Sequence, residues 1–231
     1  MFSTYAVGTA GALVSAVTLF AGLGQLNLSG MLMRFLPRAG LKSRRLTGLT
    51  YAFAAVVSGL LAAACLAGIR HFAPPHSALR LNLLQSLLFA GSVAATAIFV
   101  IQDSVLIAVR QTIWIPIENG TFGIAKIILL FVFAPLGTAF AVFGAWMIPL
   151  TLTIPVISAV LFFRFLPRPE RPPPGLPRRV TQLGRRARSK MMRFATGDAF
   201  GGLFTQAWTY LPPVIITPLL GAPVNALYYI P

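Results

Sequence analysis

The chain has 231 residues, 57% of them hydrophobic and 10% charged, and its 19 Lys+Arg against 4 Asp+Glu leave a net charge of +15. Ordinary soluble domains carry about 25% charged residues, whereas residues 1–33, 46–69, 81–102, 127–163 and 199–231 contain no Asp, Glu, Lys or Arg. No soluble domain of this size covers such stretches with polar surface. Soluble enzymes, secreted domains and disordered chains are therefore excluded, and an all-α polytopic membrane protein is left, its apolar runs matching a bilayer core about 30 Å thick.

In chain order, the first span is expected over 2–33, with a Gly/Asn-rich break at 22–30. The second covers 46–69 and the third 81–109, longer than a bilayer needs. The fourth is expected from Asn119 to Ala134, with Glu118 left in the loop before it, and Pro135-Leu136-Gly137 then reads as a tight turn. The fifth span covers 138–163, the sixth 195–220, and a seventh begins at Ala222. With alternating sides, loops 34–45, 110–118 and 164–193 place 16 basic residues on one side, against Arg70 and Arg80 on the other. The positive-inside rule makes the richer side cytoplasmic. Met1 then starts outside with no charge before its span, and the chain stops shortly after Ala222, so it reads as a fragment truncated at both ends.

Segment 164–193 is the one linker. Its run from Arg168 to Pro177 is proline-rich and extended. In Arg178–Arg193, Val180, Leu183, Ala187 and Met191 recur at helical spacing among basic residues, which fits either a short helix on the anionic inner leaflet or a disordered basic loop. Basic residues placed between apolar spans point to anionic membrane lipids as partners, not to nucleic acid. Arg34-Phe-Leu-Pro-Arg38 recurs as Arg164-Phe-Leu-Pro-Arg168, a basic-aromatic exit from the membrane. Cys65, the lone cysteine, lies in an apolar run and reads as a packed small residue. One Cys and two His build no familiar metal site, and no cofactor is expected.

The run Gly22-Leu-Gly24 followed by Met33-Arg-Phe-Leu-Pro37, the stretch Ile101-Gln-Asp-Ser-Val-Leu-Ile-Ala-Val-Arg110 with Trp114-Ile-Pro116, Asn119 and Lys126, and Gly197-Asp198 with Leu220-Gly-Ala-Pro-Val-Asn-Ala-Leu-Tyr-Tyr229 occur in that order. Together they resemble the Wzx-like oligosaccharide-lipid flippases of the multidrug/oligosaccharidyl-lipid/polysaccharide (MOP) exporter superfamily, over nearly the whole chain. The resemblance implies a bacterial plasma-membrane carrier of two six-helix lobes related as parallel repeats. Residues 1–163 would be the N-lobe bundle of five spans without the family's first helix, 164–194 the inter-lobe linker, and 195–231 the truncated start of the second lobe. It further implies a polyprenyl-pyrophosphate-linked oligosaccharide as cargo, moved to the outer leaflet for cell-surface polysaccharide synthesis, with other polysaccharide-assembly proteins as partners.

Charges inside spans are the strongest functional pointers, since each costs about 2.5–3.5 kcal/mol on insertion scales. Asp103 precedes Arg110 by seven residues and Lys126 follows Asn119 by seven. If Arg110 and Asn119 mark neighbouring helix ends, both charges lie about 10 Å deep and pair across two helices. The alternative has Lys126 snorkelling and Asp103 hydrated. Asp198, after Gly197, is either a helix N-terminal cap or a cation or proton coupling site. The dianionic pyrophosphate implied by the resemblance would use Arg34, Arg110 and Lys126 as donors, with Arg34 equally suited to anchoring at the membrane edge. Gly197 and Gly201 form a G-x-x-x-G pair for close helix approach, and Pro149, Pro155 and Pro212-Pro213 are candidate kinks. With four acids and two His, the chain lacks the clusters of a lipid phosphatase or glycosyltransferase, and no phosphate loop or nucleophile elbow occurs. An enzyme is not expected. The rival readings are a drug or cation antiporter of the same superfamily, which would favour acidic cavity residues, and a non-transporting accessory subunit.

Overall fold

The computed structural model describes residues 2–72, 81–166 and 185–229, and within these the side chains of 41, 69, 70, 72, 185–200, 203, 218, 228 and 229 lie outside the description. All regular structure among the described residues is helical. The helices are α1 (Thr4–Gly24), α2 (Leu28–Phe35), α3 (Ser43–Phe72), α4 (Leu83–Ala108), α5 (Trp114–Phe133), α6 (Ala139–Val160), α7 (Arg185–Leu220) and α8 (Ala222–Tyr229). Five stretches are long and apolar enough to cross a membrane: Thr4–Gly24, Ser43–Gly68, Leu83–Ala108, Trp114–Leu136 and Ala139–Phe165. The protein is an all-α polytopic membrane protein. The expected sixth span falls on α7, which is not one of these five; Thr205, Gln206, Thr209, Pro212 and Pro213 interrupt its apolar character.

Three helices are capped by side chains at the end of the bundle away from the basic loops. Ser3 accepts from the Ala6 N–H, Thr138 accepts from the Ala141 N–H, and Asn82 forms a reciprocal capping box with Gln85. Such caps satisfy backbone donors that lipid cannot. The expected turn after α5 is a 3-10 turn at Ala134–Leu136 closed by Gly137 at φ +62, a left-handed conformation that glycine takes without the Cβ penalty.

Helix α1 is the hub, with α3, α4 and α6 on one side and the α7–α8 pair against it as well. Small residues make this possible. A Cβ at Gly8 would overlap the Ala222 carbonyl, and one at Gly24 would overlap Ser58. Gly22 meets Gln206 and Gly8 meets Ala222, so α7 runs antiparallel to α1. The Asn225 Nδ2 donates to the Gly8 carbonyl at 2.8 Å, which locks α8 onto the start of α1. Close approach is made by these α1 glycines; of the expected pair on α7, Gly201 faces open space, and the surroundings of Gly197 lie outside the described residues. Helix α5 is peripheral, leaning mainly on α6, with Ile124, Ile127, Ile128, Phe131 and Val132 exposed where lipid would lie.

Two helix starts differ from expectation. Helix α5 begins at Trp114, five residues before Asn119, because Pro116 sits in its first turn, where a missing N–H removes no helical bond. Helix α7 begins at Arg185, so residues 185–193 continue into it instead of forming a separate surface helix, and 178–184 lie outside the described residues. Helices α6 and α7 run unbroken through Pro149, Pro155 and Pro212-Pro213.

Candidate functional site

The functional side chains gather where α3 and α5 begin and α4 and α6 end. Arg44, in the first turn of α3, donates from Nε to the Leu166 carbonyl at 3.3 Å and from a terminal nitrogen to the Phe162 carbonyl. These acceptors lie in the π-helical turn Leu161–Phe165 that closes α6 and at Leu166, which caps it. A guanidinium on the carbonyls of a helix C-terminus satisfies orphan acceptors and complements the dipole. Trp114, at the start of α5, stacks edge-on against Phe165 at 6.0 Å, and Tyr51 stacks edge-on against Phe162 at 6.2 Å. The ends of three helices are thereby held together.

Residues Gln102 and Asp103 are neighbours on α4 and point about 100° apart. Gln102 is fully buried and donates from Nε2 to the Ile154 carbonyl and the Ser158 Oγ, both at 2.9 Å, which ties α4 to α6. Asp103 turns the other way. It has the Asn119 side chain as its polar partner, and Glu118 close enough for the two charges to act on each other. The Tyr51 hydroxyl, from α3, lies within electrostatic reach of both acids. Glu118 is 1% exposed, and neither of its carboxylate oxygens has a hydrogen-bond partner; Asp103 Oδ1 and the Tyr51 hydroxyl are likewise without one.

The expected Asp103–Lys126 pair does not form. With α5 starting at Trp114, Lys126 stands about 18 Å along the helix, whereas Asp103 is about 8 Å from the end of α4, so the two differ in depth by about 10 Å. Glu118 is about 6 Å along α5 and level with Asp103. Lys126 instead places its Nζ over the Trp146 ring at 4.1 Å and the Phe122 ring at 5.6 Å. A cation over aromatic faces is held by the ring quadrupoles, which offsets part of its desolvation.

Arg34 and Arg110, the other two expected donors, are exposed at helix ends on the basic side, Arg34 with its guanidinium over Phe35 at 5.9 Å. They are not brought to the depth of Lys126. Asp198 lies inside α7, thirteen residues after its start at Arg185, so it is not an N-terminal cap. Helix continuation through Gly197 costs only about 1 kcal/mol, and the Asp198 side chain lies outside the described residues.

Glu118 and Tyr51 escaped the sequence reading. Glu118 was assigned to a loop, and Pro116 two residues before it was the signal that the helix had already begun. Tyr51 carries no charge and sits in an apolar run, so no sequence feature marked it.

No protein-family model, curated protein or solved structure matches the chain.

Proposed function

We infer that this polytopic membrane protein is a carrier that moves a polyprenyl-pyrophosphate-linked oligosaccharide from the cytoplasmic to the outer leaflet, without chemistry on the cargo. The observation that carries this reading is Lys126. It stands at the middle of the span Trp114–Leu136, pairs with no acid among the described residues, and is steadied over Trp146 and Phe122. A cation kept at that depth against an insertion cost of about 2.5–3.5 kcal/mol is a functional group by default, and a pyrophosphate crossing the bilayer is an anion it would meet. The basic helix ends carrying Arg34 and Arg110 would attract the same headgroup at the surface.

The test is flipping of a fluorescent polyprenyl-pyrophosphate oligosaccharide in proteoliposomes holding the full chain. Lys126→Gln is expected to lower the rate by about tenfold or more, the worth of one charge-assisted hydrogen bond, with Lys126→Arg retaining most of it. Equal rates in the Gln variant and the parent would sink the reading.

A drug or cation antiporter of the same superfamily is the second reading, favoured by one observation. Glu118 lies in a span and is buried, an interior carboxylate of the kind this rival would use. Cation-driven efflux of a fluorescent drug that survives Lys126→Gln and fails in Glu118→Gln would establish this reading over the first.

A further inference from the structure

Three rings from three helices meet beside Lys126. Phe99 of α4 lies 5.8 Å from Phe122 of α5, and Phe122 lies edge-on to Trp146 of α6 at 6.3 Å. Both spacings fall in the range where aromatic pairs attract. Lys126 follows Phe122 by four residues and so shares its face of α5. Its Nζ is nearer the Trp146 ring, at 4.1 Å, than the Phe122 ring, at 5.6 Å, so Trp146 is its principal seat. Phe99 forms the closed base of the cluster at 8% exposure, whereas Phe122, Lys126 and Trp146 are half-buried and form its open side.

A ring face is a weak seat for an ammonium. It attracts the charge but accepts none of the three N–H groups as a full hydrogen bond. An anionic oxygen offers charge-assisted bonds and draws the ammonium off the ring. The ring face then stands empty. An oxygen bonded to Nζ in its present place lies no more than about 7 Å from the Trp146 ring centre. In a lipid-linked oligosaccharide the pyrophosphate carries the first sugar through one further oxygen, which brings that sugar within reach of the vacated ring. The C–H face of a pyranose is apolar, and its hydrogens carry partial positive charge. It therefore packs on the negative face of an aromatic ring, where the ammonium had been.

We propose that Trp146 is the specificity-determining residue of this carrier: it seats Lys126 while the site is empty and takes the first sugar of the cargo when Lys126 moves to the pyrophosphate. The inference rests on the reading of Lys126 as the donor to the anionic headgroup. It makes the site prefer the sugar-bearing lipid over the bare polyprenyl pyrophosphate, because only the loaded lipid satisfies both the ammonium and the ring.

The experiment is equilibrium binding of two radioactive lipids to the full chain in detergent: bare polyprenyl pyrophosphate, and the same lipid carrying one hexose, used as glucose and as N-acetylglucosamine. At least one sugar-bearing lipid is expected to bind about three- to tenfold more tightly than the bare one. Trp146→Leu binds both alike, Trp146→Phe keeps most of the preference, and Lys126→Gln weakens both by about tenfold while keeping their ratio. Where Trp146→Leu fails to fold, the chain labelled with 5-fluorotryptophan and then 5,7-difluorotryptophan decides, since fluorine weakens the ring face and nearly keeps its shape; the preference should fall in that order. The fluorine resonance of Trp146, assigned by its absence from Trp146→Phe, should also shift when bare polyprenyl pyrophosphate removes the ammonium. Equal binding of bare and sugar-bearing lipids by the parent overturns the inference, as do a preference untouched in Trp146→Leu or by fluorination and a resonance unmoved by bound lipid. Those results leave the transport reading standing if the lipids bind and are flipped, whereas a chain that binds neither lipid loses both.

Discussion

Lys126 and Glu118 share one helix, eight residues apart, and show two ways of keeping a charge in a span. For Lys126 the magnitudes decide the sign of a mutation. An unpaired lysine at mid-span costs about 2.5–3.5 kcal/mol, and its cation–π contacts return about 0.5–2 kcal/mol. Lys126→Met should therefore raise the Tm in detergent-resistant bilayer nanodiscs while lowering flux. A Tm that falls together with flux would assign Lys126 a structural role. For Gln102 the sign is reversed. Gln102→Leu removes the bonds to Ile154 and Ser158 and leaves these part-buried acceptors of α6 without their donor, an expected loss of about 1 kcal/mol readable by denaturant or thermal unfolding. Gln102 and Asp103 were legible as a polar pair inside an apolar run. Their separate partners, α6 for Gln102 and the start of α5 for Asp103, followed only once those helices were placed against α4.

At the scale of elements, the end of α4 carries an unusual residue. The Gln111 N–H reaches the Leu106 carbonyl at 2.8 Å and the Arg110 N–H reaches the Ile107 carbonyl at 3.0 Å, the paired bonds of a Schellman motif. The motif needs a left-handed residue at its centre, usually glycine, and here Arg110 takes φ +60. A left-handed non-glycine residue costs about 1–2 kcal/mol. Arg110→Gly should thus stabilise the fold by about 1 kcal/mol, seen as a higher Tm, and lower flux if the guanidinium meets an anionic headgroup; an unchanged or lower Tm would contradict the strain. The start of α5 teaches a related lesson. Its span is expected from Asn119, but the chain becomes helical at Trp114, because Pro116 ends a loop as readily as it opens a helix. Five residues of helix move a side chain about 7.5 Å along the axis and turn it by more than a full revolution, which is why Glu118 passed from an expected loop to the interior.

At the scale of the molecule, α1 holds the two parts of the described chain together. Gly8→Ala would push a methyl group into the Ala222 backbone carbonyl, which cannot swing aside as a side chain does. Overpacking at such a site costs about 1–3 kcal/mol or more, so the variant should melt well below the parent, whereas Gly201→Ala, facing open space, should melt at or above it. The orientation is open to a direct check. In a Cys65→Ala background, Lys42→Cys and Leu136→Cys lie at opposite ends of the bundle, and an impermeant maleimide applied to whole cells should label only Leu136→Cys. Labelling of Lys42→Cys from outside would invert the expected topology.

Amino-acid order alone determined the all-helical membrane class, five of the spans, the Gly137 turn and the concentration of basic residues at one end. Each of these depends on local quantities, namely the apolar length needed to cross a bilayer, the backbone freedom of one residue, and the charge of a loop. The tertiary structure alone decided which charges meet. Pairing across helices depends on depth and rotation together, and a single residue of register turns a side chain by about 100°. Asp103 therefore has Asn119 and Glu118 for neighbours instead of Lys126, and close helix contacts fall on Gly8, Gly22 and Gly24 of α1 and not on Gly201, because packing selects from each helix the one face that lets its neighbours approach.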